Sequence, residues 1–214
     1  MNGQLDPSDY TGMSFWIISA AMVAATFFFW VERDRAVGKW KTSLTVAAMV
    51  TGIAAIHYFY MRGVWASTGE SPLVFRYVDW LLTVPLQIVE FYLILAAIAV
   101  VKSSLFWRLL IASVIMLVAG YLGEVGSVNV WAGFVVGMLG WIYIIYEVFA
   151  GEASQINASK GTAASQKAFN ALRLIVTIGW AIYPIGYVVG YTGGGSAEGL
   201  NTVSYTHLTL PTKA

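Results

Sequence analysis

The sequence predicts an all-α membrane protein with six transmembrane helices. Three observations carry this. Hydrophobic residues make up 58% of the 214 and charged residues only 11%, where a soluble domain has about 25% charged. Six apolar runs are each long enough to cross a bilayer, which takes about 20 residues at about 1.5 Å each. The runs are apolar all round, whereas barrel strands alternate apolar and polar residues over about 10 positions.

The first run, Met13–Val31, follows a short polar lead, "MNGQLDPSDYTG", with no cleavable signal ahead of it. Either this helix directs insertion itself or a signal has been lost. The second run is Thr42–Met61. The third, Val74–Val101, is longer than one crossing needs, so one end should lie in the interface. Ser103–Gly123 and Val128–Ala150 follow. "GEASQINASKGTAASQ" reads as a polar connector to the sixth run, Ala168–Tyr191. Beyond Tyr191, "GGGSAEG" reads as a flexible loop without the setting of a phosphate-binding turn.

Lysine and arginine set the orientation. Arg33, Arg35, Lys39 and Lys41 lie in the first loop, Lys102 and Arg108 flank the third, and Lys160 and Lys167 lie in the fifth. The intervening loops are poor in both residues. The basic side is expected to be cytoplasmic, with the N-terminus outside and the third helix running inward. The net charge of +1 says little by itself, and no long basic patch suggests nucleic acid. The chain has no cysteine, which excludes disulfides and thiol chemistry. His57 alone cannot form a metal site, so no metal is expected.

The third run contains "RYVDWLLTVPLQIVEF", Arg76 to Phe91. Arg76, Asp79, Thr83, Gln87 and Glu90 recur on one helical face. Asp79 and Glu90 are eleven positions apart, roughly 16 Å along the axis. A charge at the bilayer centre costs roughly 2.5–3.5 kcal/mol on insertion scales. Two carboxylates on one inward face therefore suggest either a relay or a polar network holding helices together. Arg76, one turn away, favours the ionised form of Asp79, while apolar neighbours favour a protonated Glu90. The first is then suited to accept a proton and the second to donate one. His57, near the outer end of the second helix, lies at similar depth to Asp79. It is placed either to tune that acid through a hydrogen bond or to bond to the backbone.

"VERDRAVGKWKTSLTV", "HYFYMRGVW", "RYVDWLLTVPLQIVEFYLILAA" and "GWAIYPIGY" together resemble the proteorhodopsins, a branch of the bacteriorhodopsin-like microbial rhodopsins. The resemblance covers about residues 9–201. It implies a seven-helix bundle holding all-trans-retinal by a Schiff base and pumping protons outward across a bacterial inner membrane when illuminated. It implies Asp79 as proton acceptor and counterion, with His57 and Arg76 as its partners, and Glu90 as proton donor. Trp80, Thr83, Trp141, Trp180, Tyr183 and Pro184 would line the retinal pocket. Gln87 would tune its colour, a glutamine there resembling the blue-absorbing type. For the aromatic residues, spacing alone is equally consistent with ordinary packing or interfacial belts. The lipid bilayer, retinal and protons are the implied partners, and the intact protein is expected to be a homo-oligomer.

The sequence departs from the family after the sixth run. "GGGSAEGLNTVSYTHLTLPTKA" contains no apolar span and no lysine matching the one that binds retinal. The chain is therefore expected to be a rhodopsin domain over 1–201, cut before its seventh helix and unable to pump. Within 202–214, "VSYTHLTLPT" resembles a translated frame of a sequencing adaptor, so His207 is read as non-native. A retinal-free six-helix channel or transporter is the alternative from another class, resting on the intramembrane carboxylates alone. A sensory rhodopsin is the alternative within the family; the presence of both Asp79 and Glu90 favours the pump.

Overall fold

The computed structural model describes residues 8–69 and 72–192. They form α1 (Tyr10–Arg35), α2 (Lys39–Thr68), α3 (Leu73–Ile98), α4 (Ser103–Glu124), α5 (Val130–Phe149), α6 (Glu152–Lys160) and α7 (Ala163–Leu174). A π-helical turn, Ile175–Gly179, leads into α8 (Trp180–Thr192). Six stretches among the described residues are long and apolar enough to cross a membrane, the last running through α7, the π turn and α8. The protein is an all-α, multi-pass membrane protein.

The ends of the helices differ from the sequence reading for local reasons. α1 begins at Tyr10 because Asp9 caps it, its Oδ1 accepting from the Gly12 amide at 2.8 Å. The same carboxylate accepts from Trp65 Nε1 at 3.1–3.2 Å, tying the start of α1 to the end of α2. α2 runs seven residues past Met61 and stops at Gly69, whose φ of 70° gives the left-handed turn that only glycine adopts freely. α3 ends at Ile98 rather than 101, because Ala99 is extended and the chain needs 99–102 to turn into α4.

The stretch read as a connector is helical. Gly151 and Gly161 bracket α6 instead of marking one open loop. Glu152 in its first turn and Lys160 in its last complement the helix dipole. Thr162 then caps α7, accepting from the Ser165 amide at 3.2 Å. Residues 193–214, including the tail read as non-native, lie outside the described residues.

Consecutive helices α1 to α5 pack side by side. Thr26 donates to Thr51 across α1 and α2 at 2.9 Å. α4 and α5 approach until backbone meets backbone. A Cβ on Gly133 would stand 2.6 Å from the Ala119 carbonyl oxygen and 2.9 Å from Gly123 Cα. Small residues permit such approach between membrane helices. Gly133→Ala is expected to destabilise the bundle by about 1–3 kcal/mol, read as a lower midpoint of denaturant unfolding from micelles; an unchanged midpoint would refute the close packing. Large apolar side chains such as Phe27, Ile56, Leu139 and Ile178 point outward, where lipid rather than water solvates them.

Among the described residues, the interior has two apolar clusters. One joins α3 to α5, α7 and the π turn near the lysine-rich end, around Ile88, Phe91, Leu105, Ile144, Phe169 and Val176. The other joins α1 to α2 around Phe15, Met22, Tyr58 and Met61. Between them runs the cavity that holds the polar residues.

Candidate functional site

A cavity of about 430 Å³ occupies the bundle interior. α3 contributes Trp80, Thr83 and Gln87, α5 contributes Trp141, and α8 contributes Trp180, Tyr183 and Pro184. All seven side chains that the resemblance sets around a chromophore stand in its wall. Trp80 and Tyr183 meet edge to face at 4.7 Å. Trp141 is fixed by its indole Nε1, which donates to the Val176 carbonyl at 2.7 Å inside the π turn. Pro85 and Pro184 lie inside α3 and α8; each removes one backbone donor, which a membrane helix tolerates when neighbours enclose it.

Asp79 is 2% exposed, one position from Trp80 and one turn from Thr83. Thr83 Oγ1 donates to the Asp79 backbone carbonyl at 2.9 Å, not to its carboxylate. His57 Nδ1 stands 3.4 Å from Asp79 Oδ1 and 3.0 Å from the Ile53 carbonyl. A hydrogen on Nδ1 is thus directed chiefly at the backbone, and the two bonds weighed for His57 converge on one nitrogen. Asp79 Oδ1 is buried with no hydrogen-bond partner. Such an oxygen is expensive to bury and suits a positively charged group held in the cavity.

Glu90 lines the cavity toward the lysine-rich end. Ser43 Oγ donates to its two carboxyl oxygens at 3.2 and 3.3 Å. The guanidinium of Arg76, read from the sequence as a partner of Asp79 or part of the proton-release side, forms an ion pair with Glu124 at the end of α4. Tyr77 Oη donates to the other oxygen of Glu124 at 3.0 Å. Arg76 also lies over the Tyr77 and Trp80 rings at 5.5 and 5.6 Å.

Glu124, Tyr77 and Ser43 were not singled out from the sequence. Glu124 stands in "GEVGS" at the end of an apolar run, and its partners are 47 and 48 positions away. Ser43 is one of several hydroxyl residues in the first turns of α2. The only signal was that Glu124 is an acid directly abutting an apolar run.

From the lysine-rich end to the other, the interior therefore presents Ser43–Glu90, then the aromatic cavity, then Asp79 beside His57, then Arg76–Glu124–Tyr77. The cavity is long, apolar along its walls and polar at both ends. None of Lys39, Lys41, Lys102, Lys160 and Lys167, the lysines among the described residues, lines it.

An all-helical membrane bundle with an aromatic interior cavity between two carboxylates, Asp79 buried and Glu90 partly so, is the architecture of a microbial rhodopsin. The chain belongs to the bacteriorhodopsin-like protein family, which matches residues 9–214. That match runs through 202–214 and gives no support for setting those residues apart or for a domain cut short. The green-light absorbing proteorhodopsin of Gamma-proteobacterium EBAC31A08 is 57% identical over 203 residues, covering 94% of this chain and 81% of that one. The blue-light absorbing proteorhodopsin of Gamma-proteobacterium Hot 75m4 is 55% identical over 204 residues, with the same coverage. The crystal structure of the blue light-absorbing proteorhodopsin from Med12 is 54% identical, superposes with a TM-score of 0.79, and is covered over 93% of its length by 95% of this chain.

Proposed function

We propose that this protein is a light-driven proton pump of the proteorhodopsin type, moving protons outward across a bacterial inner membrane. The observation that carries the reading is the order of groups along one interior path: Glu90 at the lysine-rich end, Asp79 beyond the aromatic cavity, and Arg76–Glu124 at the opposite end. The basic loops support a cytoplasmic lysine-rich end. Light-absorbing relatives that are 55–57% identical support the same reading.

All-trans-retinal, when bound, supplies the light-absorbing polyene and a protonated nitrogen whose proton affinity falls on illumination. Trp80, Trp141, Trp180 and Tyr183 would hold the polyene, and Pro184 shapes the wall beside Tyr183. The buried Asp79 carboxylate balances the positive charge and accepts the proton. Thr83 holds the Asp79 backbone, and His57 modulates the carboxylate's proton affinity. Arg76, Glu124 and Tyr77 form the exit side. Ser43 orients the Glu90 carboxyl, which returns a proton from the inner side. Gln87 lies between acceptor and donor on the same wall. The amide stabilises the dark-state charge distribution and widens the excitation gap, so the absorption is of the blue type; relatives of both colours are about equally similar, so Gln87 carries this point. The pump is a homo-oligomer when intact.

Because no lysine among the described residues reaches the cavity, residues 1–214 given all-trans-retinal are expected to form no stable visible band sensitive to hydroxylamine. Followed by a seventh span bearing a lysine at mid-membrane, the same residues are expected to form that band and to acidify the medium under light. A stable band in the first case overturns the account of the anchor. No band and no acidification in the second overturns the rhodopsin reading and favours a retinal-free channel.

A further inference from the structure

We propose that Trp141 is a positioning residue whose indole N–H holds a one-residue slip in the sixth span, and that the slip decides which side chains face the chromophore. The inference rests on the reading of the cavity as a retinal site.

The slip shows in the spacing of the cavity wall. Before the π turn the wall takes Ala168, Ala171, Leu172 and Ile175; after it, Trp180, Tyr183, Pro184 and Tyr187. The second set repeats the spacing of the first, each member twelve positions further on. Three α-helical turns take about 11 positions. One residue is therefore extra, and the π turn 175–179 absorbs it. An uninterrupted α-helix would carry the face of α7 on to Gly179, Ile182, Tyr183 and Gly186. Glycines would then stand in place of Trp180 and Tyr187, and most of the aromatic wall on this span would be lost.

The hydrogen bonds show how the slip is held. In an α-helix the Trp180 amide donates four positions back, to Val176. Here it donates to the Ile175 and Thr177 carbonyls and passes Val176 by. Val176 is fully buried, so its carbonyl needs another partner. Trp141 Nε1, on α5, supplies one at 2.7 Å. An indole is a donor only, so it can serve the carbonyl and cannot compete for the Trp180 amide. The Arg173 carbonyl, one turn before Thr177, accepts from the Thr177 hydroxyl at 2.6 Å. Thr177 acts from within the span, whereas Trp141 ties the slip to a neighbouring helix.

Without the indole N–H, the Val176 carbonyl regains a partner by taking back the Trp180 amide. That closes the π turn and rotates α8 by about 100°. Loss of one buried hydrogen bond shifts such an equilibrium by about tenfold.

The test reads the rotation on residues 1–214 in lipid bilayers, in the dark and without retinal. The chain has no cysteine, so a pair of spin labels can be placed uniquely. Leu139 on α5 and Ile185 on α8 point outward and take the labels as Leu139→Cys and Ile185→Cys. Benzothienylalanine in place of Trp141 exchanges the indole N–H for sulfur and keeps the bicyclic shape. On a helix about 10 Å across, a turn of about 100° moves the Ile185 label by several ångströms. The substituted chain is expected to show a second label distance, about tenfold more populated relative to the first than in the parent. Deleting Thr177 removes the extra residue and brings the two sets of wall residues into one α-helical register. In that background the same substitution is expected to leave the distance unchanged, whereas a general loss of packing would act in both. An unchanged distance distribution in the substituted full-length chain overturns the proposal, as does an equal effect in the deleted chain. With the lysine-bearing seventh span, the substitution should slow uptake of all-trans-retinal, followed at the visible band, in proportion to the slipped state lost. Uptake at the parent rate despite the second distance overturns the role toward the chromophore. The second distance together with no visible band in any variant sustains the lock and refutes the rhodopsin reading.

Discussion

Asp79→Asn, in the retinal-loaded protein with a lysine-bearing seventh span, is expected to abolish light-driven acidification and to move the visible band to longer wavelength. Both effects follow from one charge. Asp79 is buried beside the cavity wall, and its Oδ1 has no hydrogen-bond partner. On the proposed reading, a carboxylate there stabilises a positive charge in the dark and takes up a proton when the charge is released. Asparagine retains the size, but it has no negative charge and no useful basicity. The dark state loses more electrostatic stabilisation than the excited state, in which the positive charge is displaced along the polyene, so the gap narrows. Acceptance fails outright, because no other described carboxylate adjoins this position: Glu90 lies roughly 16 Å away along α3, and Glu124 is paired with Arg76. His57→Ala should move only the pH of the colour transition, since its Nδ1 touches Asp79 at 3.4 Å while bonding to Ile53. The measurement is acidification of a cell suspension under light together with the absorption spectrum. Pumping by Asp79→Asn at the parent rate would remove Asp79 from the acceptor role.

The spans were legible because the membrane imposes a coarse rule on composition. An apolar run long enough to cross must close its own backbone hydrogen bonds, and a helix does so. Their ends were less legible, since apolarity marks the lipid boundary and not the last hydrogen bond. α2 continues to Thr68 until Gly69 ends it, well past the apolar stretch. α6 was missed because its nine residues are mostly polar, with only Ala153, Ile156 and Ala158 apolar, and what orders it is contact with α3 and α5. The π turn has no periodic signature at all. It becomes evident only when Trp141, 35 positions earlier, is seen bonded to the Val176 carbonyl. The face bearing Asp79, Thr83, Gln87 and Glu90 could be read from helical spacing, whereas the aromatic wall came from resemblance: Trp and Tyr at such intervals also serve as ordinary packing. Counting along one helix sets Arg76 beside Asp79, but its ion pair with Glu124 on another helix could not be read that way.

Glu90→Gln, in the same retinal-loaded protein, separates the two carboxyls. Glu90 occupies the inner end of the cavity, bonded through Ser43 and flanked by the fully buried Ile88 and Phe91. On the donor reading it is a neutral acid in the dark. Replacing a neutral acid by a neutral amide of similar size should leave the dark colour nearly unchanged, in contrast to Asp79→Asn. The first proton given up after a single flash should also appear, because Asp79 and the exit groups are intact. The return of a proton from the inner side should fail. Positioned general acids contribute about 10²–10⁴-fold, so recovery of the dark absorption after a flash should slow by about 10²-fold or more, and steady acidification under continuous light should fall with it. The slowed recovery should become faster as bulk pH is lowered, since protons must then come from water. Azide, a small diffusible acid, should restore part of the rate by entering where the side chain no longer donates. Flash absorption on this variant, with and without azide, decides the matter. Recovery at the parent rate, independent of pH, would leave Glu90 as a hydrogen-bonded strut to Ser43 and would place the inner donor elsewhere along the path.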